Sequence, residues 1–410
     1  MWMSASKAGA AFAGAAIVFG TSRLLIPADR GHLATALAAA NIAAAILSGS
    51  LWLGTSIEVR RHQGMLNAAR NFALIYPALI GLLALPLVII VISGDSQWLW
   101  LWTISAALAL TCYSLLQGLV LGSADIRGLA TGEIVRSWPS ALLCVGVAGA
   151  TGSAIWALAA WTLGPVLGSI YLVVRAEASN IGMKLRNYLR IVGPQSLRAH
   201  GGNILGLLAL RLDIVLVAAV SSATEAAYYS MAVAFGELMW VLSSARGTVH
   251  LSEQIQGDPK LARAQVIRVL KRLMPFMAGL ALFLVIFGGF AVEIFAGEAY
   301  EPAIWPLRIT VVGCTMFAVA HVVMPYLVAG LRRPGLMTAI GGLTVTINVV
   351  LILLLAPSMG ALGAAIASSI AYAVAAAVCT LLLVNPWLRA KASSMHPESG
   401  DEQSARTPPL

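Results

Sequence analysis

Apolar stretches of the ~20 residues that a helix needs to cross some 30 Å of hydrocarbon recur twelve times along this chain. A water-soluble domain has no means of burying so many. They fall at about 8–26, 33–57, 72–93, 98–122, 134–150, 154–174, 199–220, 226–246, 274–295, 306–329, 336–356 and 361–384. Only a helix satisfies its own backbone groups within one segment of hydrocarbon, so the chain is expected to be an all-α polytopic membrane protein. Composition agrees. Hydrophobic residues make up 59% and charged residues 10%, against the ~25% charged that is usual in soluble domains. The first stretch has Lys7 as its one early cation and is longer than the apolar core of a signal peptide, so it reads as an uncleaved first span.

The loops assign an orientation. Cations follow every even span: Arg60, Arg61 and Arg70; Arg127 and Arg136; Arg175, Lys184, Arg186, Arg190 and Arg198; Lys260, Arg263, Arg268, Lys271 and Arg272; Arg332 and Arg333. The odd loops carry carboxylates or no charge, among them Asp95, Glu225, Glu293, Glu298 and Glu301. By the positive-inside rule both termini are cytoplasmic. The first loop dissents, with Arg23 and Arg30 beside Asp29 on the outer side. The organisation expected is a six-helix lobe over 1–175, a cytoplasmic linker over 176–198, a second six-helix lobe over 199–388 and a disordered tail over 389–410. The basic connections after the sixth and eighth spans are amphipathic and are expected to lie along the inner leaflet, held by anionic lipids. Thr151 to Trp161 and Met359 to Ser369 open the sixth and twelfth spans with small residues after a short uncharged turn, which suggests two parallel six-helix repeats.

Three charges stand inside otherwise lipid-soluble helices: Arg211, Asp213 and Glu237. Insertion-type scales put such a charge at about +2.5 to +3.5 kcal/mol at a helix centre, so each needs a partner or water. Arg211 and Asp213 are two apart, about 200° around a helix, and cannot pair with each other on one face. Two readings follow: a charge pair that locks the bundle, or a polar cavity in which Arg211 meets an anionic substrate. Glu237 is either a carboxylate that binds a driving ion or a partner for Arg211 or Arg246. His321, Asn41, Asn203, Gln117 and Asn348 are read as hydrogen-bonded packing residues, and Trp98, Trp100, Trp102 and Trp305 as an interfacial belt. Cys112, Cys144, Cys314 and Cys379 lie in apolar runs without metal-ligand spacing. The net charge of +9 is scattered through the loops and forms no nucleic-acid patch. No GxxxxGK[ST] loop occurs, so neither a nucleotide nor any other cofactor is expected.

The stretch from Arg211, RLDIVLVAAVSSATEAAYYSMAVAFGEL, resembles the seventh and eighth spans of polysaccharide flippases in the multidrug/oligosaccharidyl-lipid/polysaccharide (MOP) exporter superfamily. GEAYEPAIWPLRI from Gly297, YLVAGLRRPG from Tyr326 and INVVLILLLAPSMGALGAAIASSIAYAV from Ile347 are similar to later spans, and SRLLIPADRGHLATALAAA from Ser22 to the first outer loop. Where the family usually has leucine-glycine-proline, this chain has Leu25, Ile26 and Pro27. The resemblance implies two six-helix lobes around a central cationic cavity, as in MATE-type transporters. It also implies movement of a polyprenyl-diphosphate-linked oligosaccharide from the inner to the outer leaflet of the cytoplasmic membrane by alternating access. Arg211 and Arg23, with Asp213, would form the substrate site, and Glu237 would couple to an H+ or Na+ gradient. A cation-coupled multidrug exporter of the same superfamily is the alternative. A membrane-embedded glycosyltransferase or polymerase stands third, disfavoured by outer loops of no more than about a dozen residues.

Overall fold

The computed structural model describes residues 2–59, 62, 64–91, 96–176, 183–256, 259–329, 331 and 333–385, and every regular element among them is helical. The first lobe comprises α1 (Trp2–Leu24), α2 (Pro27–Ser48), α3 (Leu51–Glu58), α4 (Met65–Val91), α5 (Ser96–Gly122), α6 (Ile126–Thr151) and α7 (Ala154–Arg175). The second comprises α8 (Leu185–Val220), α9 (Ala223–Gln256), α10 (Pro259–Ala296), α11 (Ile304–Ala329) and α12 (Pro334–Val384), with a 3-10 turn at Glu298–Ala303.

Two interruptions reconcile these elements with twelve spans. Gly49 and Ser50 both adopt left-handed backbone, with φ of 54° and 53°, and break one span into α2 and α3. Gly360, at φ 55° and ψ −132°, folds α12 back on itself as two spans. Gly152, at φ 62°, makes the matching turn between α6 and α7. The glycines of Thr151-Gly152 and Met359-Gly360 thus supply, in both lobes, a turn that side chains with a Cβ rarely adopt, at the positions where the two sequences run parallel.

Among the described residues, nine helices are long and apolar enough on their own to cross a membrane. The longer elements that fall short, α1 and α9, carry Lys7, Ser22 and Arg23, and Glu225, Ser230 and Glu237. They face each other across the lobe interface.

Small residues make that interface. Ala34 and Ala38 of α2 share one cluster with Ile214, Val217, Ala226 and Val233 of α8 and α9. Gly31 lies so close to the carbonyl of Ala223 that a Cβ there would overlap it. Lipid tails are as apolar as leucine, so such contacts are held by van der Waals packing, which close backbone approach maximises. Phe19 of α1 adds ring contacts to Phe235 and Phe295, each at 4.9 Å. The outer surface is correspondingly apolar, with Leu83 76% and Ile90 81% exposed.

Three expectations are corrected. The basic connection before the seventh span does not form a separate surface helix, because α8 runs unbroken for 36 residues, about 54 Å at 1.5 Å per residue. Its lower turns dock on the first lobe: Tyr188 and Thr55 share a hydroxyl hydrogen bond of 2.8 Å, and Gln195 donates to Glu58 at 2.6 Å. Likewise α10 starts at Pro259, burying Ala262, Val266 and Leu273 and exposing Arg268, Lys271 and Arg272. Arg136 is not a loop cation, since α6 begins at Ile126 and carries it about three turns inward. Trp102 leaves the interfacial belt and packs against the first-lobe core, whereas Trp98, Trp100 and Trp305 are exposed near helix ends. The tail expected over 389–410 lies outside the described residues.

Candidate functional site

Between the lobes lies a cavity of about 240 Å³, lined by α1, α2 and α6 from one side and α8 and α9 from the other. A second space of about 410 Å³ continues from it past Asn41 and Arg136 toward Ser6 and Lys7 at the start of α1. The opposite end, where the start of α2 meets the start of α9, is closed by the Gly31–Ala223 approach, with the Phe19 rings packed beside it.

Arg211 reaches this cavity and ends in an ion pair, its Nη1 standing 2.6 Å from Glu237 Oε1. The two side chains are 31% and 32% exposed, so the pair is part of the wall and is not sealed in the core. Arg246, the other partner considered for Glu237, has a side chain outside the described residues. Asp213, about 200° around the same helix, points the other way. It is 2% exposed, accepts a hydrogen bond from the Tyr229 hydroxyl at 2.6 Å and caps the Ile214 N–H at 2.9 Å. Tyr229 also meets the Ser368 hydroxyl at 2.7 Å. The carboxylate therefore ties α8, α9 and α12 together inside the second lobe and does not line the cavity.

Arg23 does not reach the cavity either. It is exposed at the end of α1, its Nη1 donating to the Glu293 carbonyl at 3.5 Å. Of the four residues singled out in the sequence, the structure brings only Arg211 and Glu237 together in the lobe interface.

Three other charged residues take the remaining places. Arg136 and Glu133, three apart on α6, form an ion pair on the first-lobe wall. Tyr113 donates its hydroxyl to Glu133 at 3.0 Å, Gln117 lies at 3.5 Å, and Arg136 sits over the Tyr113 ring at 5.3 Å. The i, i+3 spacing of Glu133 and Arg136 was a signal for this pair, hidden by reading Arg136 as a cation of the loop after the fourth span. Arg30, noted only as part of the dissenting first loop, lies on the cavity wall and is 3% exposed. Taken together, Lys7, Arg30, Arg136 and Arg211 face two carboxylates among the described residues, Glu133 and Glu237. Such a surface attracts an anion and leaves a cation unmatched.

His321 and the cysteines occupy packing positions. His321 makes edge contacts with Trp240 and Phe317 at 5.4 and 4.8 Å. Cys144, Cys314 and Cys379 are buried.

This architecture, two helical lobes enclosing a cavity, is the fold of the MOP-superfamily transporters. A multidrug-resistance MATE family transporter of that superfamily in its inward-facing conformation superimposes with a TM-score of 0.73 at 14% identity, over 95% of this chain and 96% of that one. The lipid II flippase MurJ in an inward closed conformation gives 0.72 at 14% identity, over 96% of this chain and 90% of MurJ. An outward-facing MATE family transporter gives 0.55 at 16% identity, over 95% and 96%. No protein-family model matches the sequence, and no curated protein matches it.

Proposed function

We propose that this chain is a flippase that carries a polyprenyl-diphosphate-linked oligosaccharide from the inner to the outer leaflet of the cytoplasmic membrane by alternating access, for surface polysaccharide assembly. The observation that carries this reading is the charge of the lobe interface, where among the described residues four cations face two carboxylates. MATE transporters and MurJ fit the fold equally well, so the fold does not separate a drug exporter from a flippase; the excess of cations on the wall favours the flippase. A cationic drug would meet excess positive charge; a diphosphate would be drawn in. Guanidinium suits that cargo because it stays charged and forks onto phosphate oxygens.

A head group of sugars and diphosphate cannot cross about 30 Å of hydrocarbon unaided. A path between lobes that closes at one end and opens at the other removes that barrier. The better match to the inward-facing MATE structure than to the outward-facing one supports an arrangement open toward Lys7 and closed at Gly31. With both termini cytoplasmic, that opening faces the source of the cargo. Glu237 then serves as the coupling carboxylate for an H+ or Na+ gradient: an ion bound to it would release Arg211 to face an anionic head group in the cavity. Labelling of Ser358→Cys from outside intact cells, with Lys184→Cys protected, checks the orientation.

The test is transport in proteoliposomes. Short polyprenyl-diphosphate oligosaccharide should become accessible to an external lectin, faster with an ion gradient, while ethidium is not moved. Ethidium transport without glycolipid translocation would replace this reading with the multidrug one.

A further inference from the structure

We propose that Arg30 is the residue that takes the anion in this cavity, and that its ligand is a phosphate-class group presented by a lipid carrier. Each of the other guanidiniums on the cavity wall is already answered by a carboxylate, Arg136 by Glu133 and Arg211 by Glu237. Arg30 is not. It is 3% exposed, and its Nε and Nη1 are buried without a hydrogen-bond partner among the described residues. Among the described residues, the titratable groups close enough to act on it are Tyr300 and Cys144, neither of them a carboxylate. An arginine stays charged in a protein, and an unpaired buried charge is unfavourable unless something supplies the missing acceptors. A phosphate-class anion does so, with several oxygens for a guanidinium that has five donors.

The position of Arg30 adds the second half of the argument. Its side chain lines the cavity at the closed end, on the first turns of α2. Behind it the Ser22 and Tyr300 hydroxyls lie beside each other without a well-formed hydrogen bond, both buried. Ser22 belongs to the first lobe and Tyr300 to the 3-10 turn of the second, so Arg30 sits where the lobes meet. The cavity that Arg30 lines runs toward the open end in this arrangement, and would be entered from the other side once the lobes part. Access from alternate sides is what a carried head group requires.

The proposal rests on reading the cavity as a path for an anionic head group, and its test is separable from transport. Inorganic pyrophosphate is titrated calorimetrically into the full-length protein in detergent at constant ionic strength. Wild type and Arg268→Gln, whose exposed side chain on α10 lies outside the cavity, should bind one equivalent. Arg30→Gln should weaken binding by about tenfold or more, and Arg30→Lys, which keeps charge but loses the planar fork, by several-fold. Should Arg30→Gln fail to fold, Arg30→Lys decides alone. A polyprenyl diphosphate should displace pyrophosphate from wild type. Unchanged affinity in the Arg30 variants, no binding by wild type, or equal binding of chloride would overturn the assignment. Pyrophosphate that resists displacement by polyprenyl diphosphate would place a free anion there and overturn the lipid source. Glycolipid translocation that fails while pyrophosphate still binds through Arg30 strikes only the transport reading.

Discussion

Arg211 of α8 and Glu237 of α9 neutralise each other across 2.6 Å on a wall that both share with the cavity, each about one-third exposed. This places the pair between two energetic limits. An exposed ion pair contributes about 0–1 kcal/mol, whereas removing one partner of a buried pair costs about 3–5 kcal/mol.

Arg211→Ala and Glu237→Ala should therefore each lower thermal stability by an amount between those limits, and the double variant should recover most of it. Transport should stay lost in every variant that lacks Arg211. Melting and glycolipid translocation measured on the same preparations check this. If the double variant regained both stability and transport, Arg211 would be a structural residue only.

Gly31 gives a conformational prediction. A Cβ at this position overlaps the Ala223 carbonyl across the lobe interface, and backbone cannot swing aside as a flexible side chain can. Gly31→Ala should leave each lobe folded while preventing closure at this end. Spin labels at Leu24 and Glu298, both exposed, should report a longer and broader distance than in the parent protein. An unchanged distance distribution would mean that the approach is not what holds this end shut.

Asp125 gives a pH prediction outside the membrane spans. It caps α6 by accepting the Gly128 N–H at 2.8 Å and receives Arg175 Nε at 3.0 Å. The Gly128 hydrogen bond first, and the Arg175 hydrogen bond next, hold its carboxyl below the ordinary range. Because the folded value lies below the unfolded one of about 3.9, the contribution is complete above that pH and fades as pH falls through the folded value. Asp125→Ala should cost about 0.5–2 kcal/mol at neutral pH, the usual loss of an N-cap. Melting curves of both proteins from pH 7 to pH 3 should keep a constant gap down to about pH 4 and converge below it. A gap that is independent of pH throughout would assign the loss to packing.

Much of this molecule was legible in the sequence because hydrocarbon is an undemanding solvent to read. Apolar length reports the spans, loop cations suggest a side, and Gly152 and Gly360 mark matching turns where other residues would be strained. Arg211 and Glu237 also announced themselves, since a charge in an apolar run is conspicuous wherever it points. What the sequence did not contain was the identity of each charge's neighbour. Asp213 is two residues from Arg211, yet helix rotation sends it into the second-lobe core to meet Tyr229 and Ser368, residues 16 and 155 positions further along the chain. Arg23 and Arg30 belong to one short loop pattern, but α1 ends with Arg23 on the surface while the first turns of α2 carry Arg30 into the cavity. Arg136 looked like a loop cation until the start of α6 placed it inside. A charge is free or answered according to distances of a few ångströms between helices far apart in sequence. Lobe packing sets those distances, and that is why the unpartnered guanidinium was decided by tertiary structure alone.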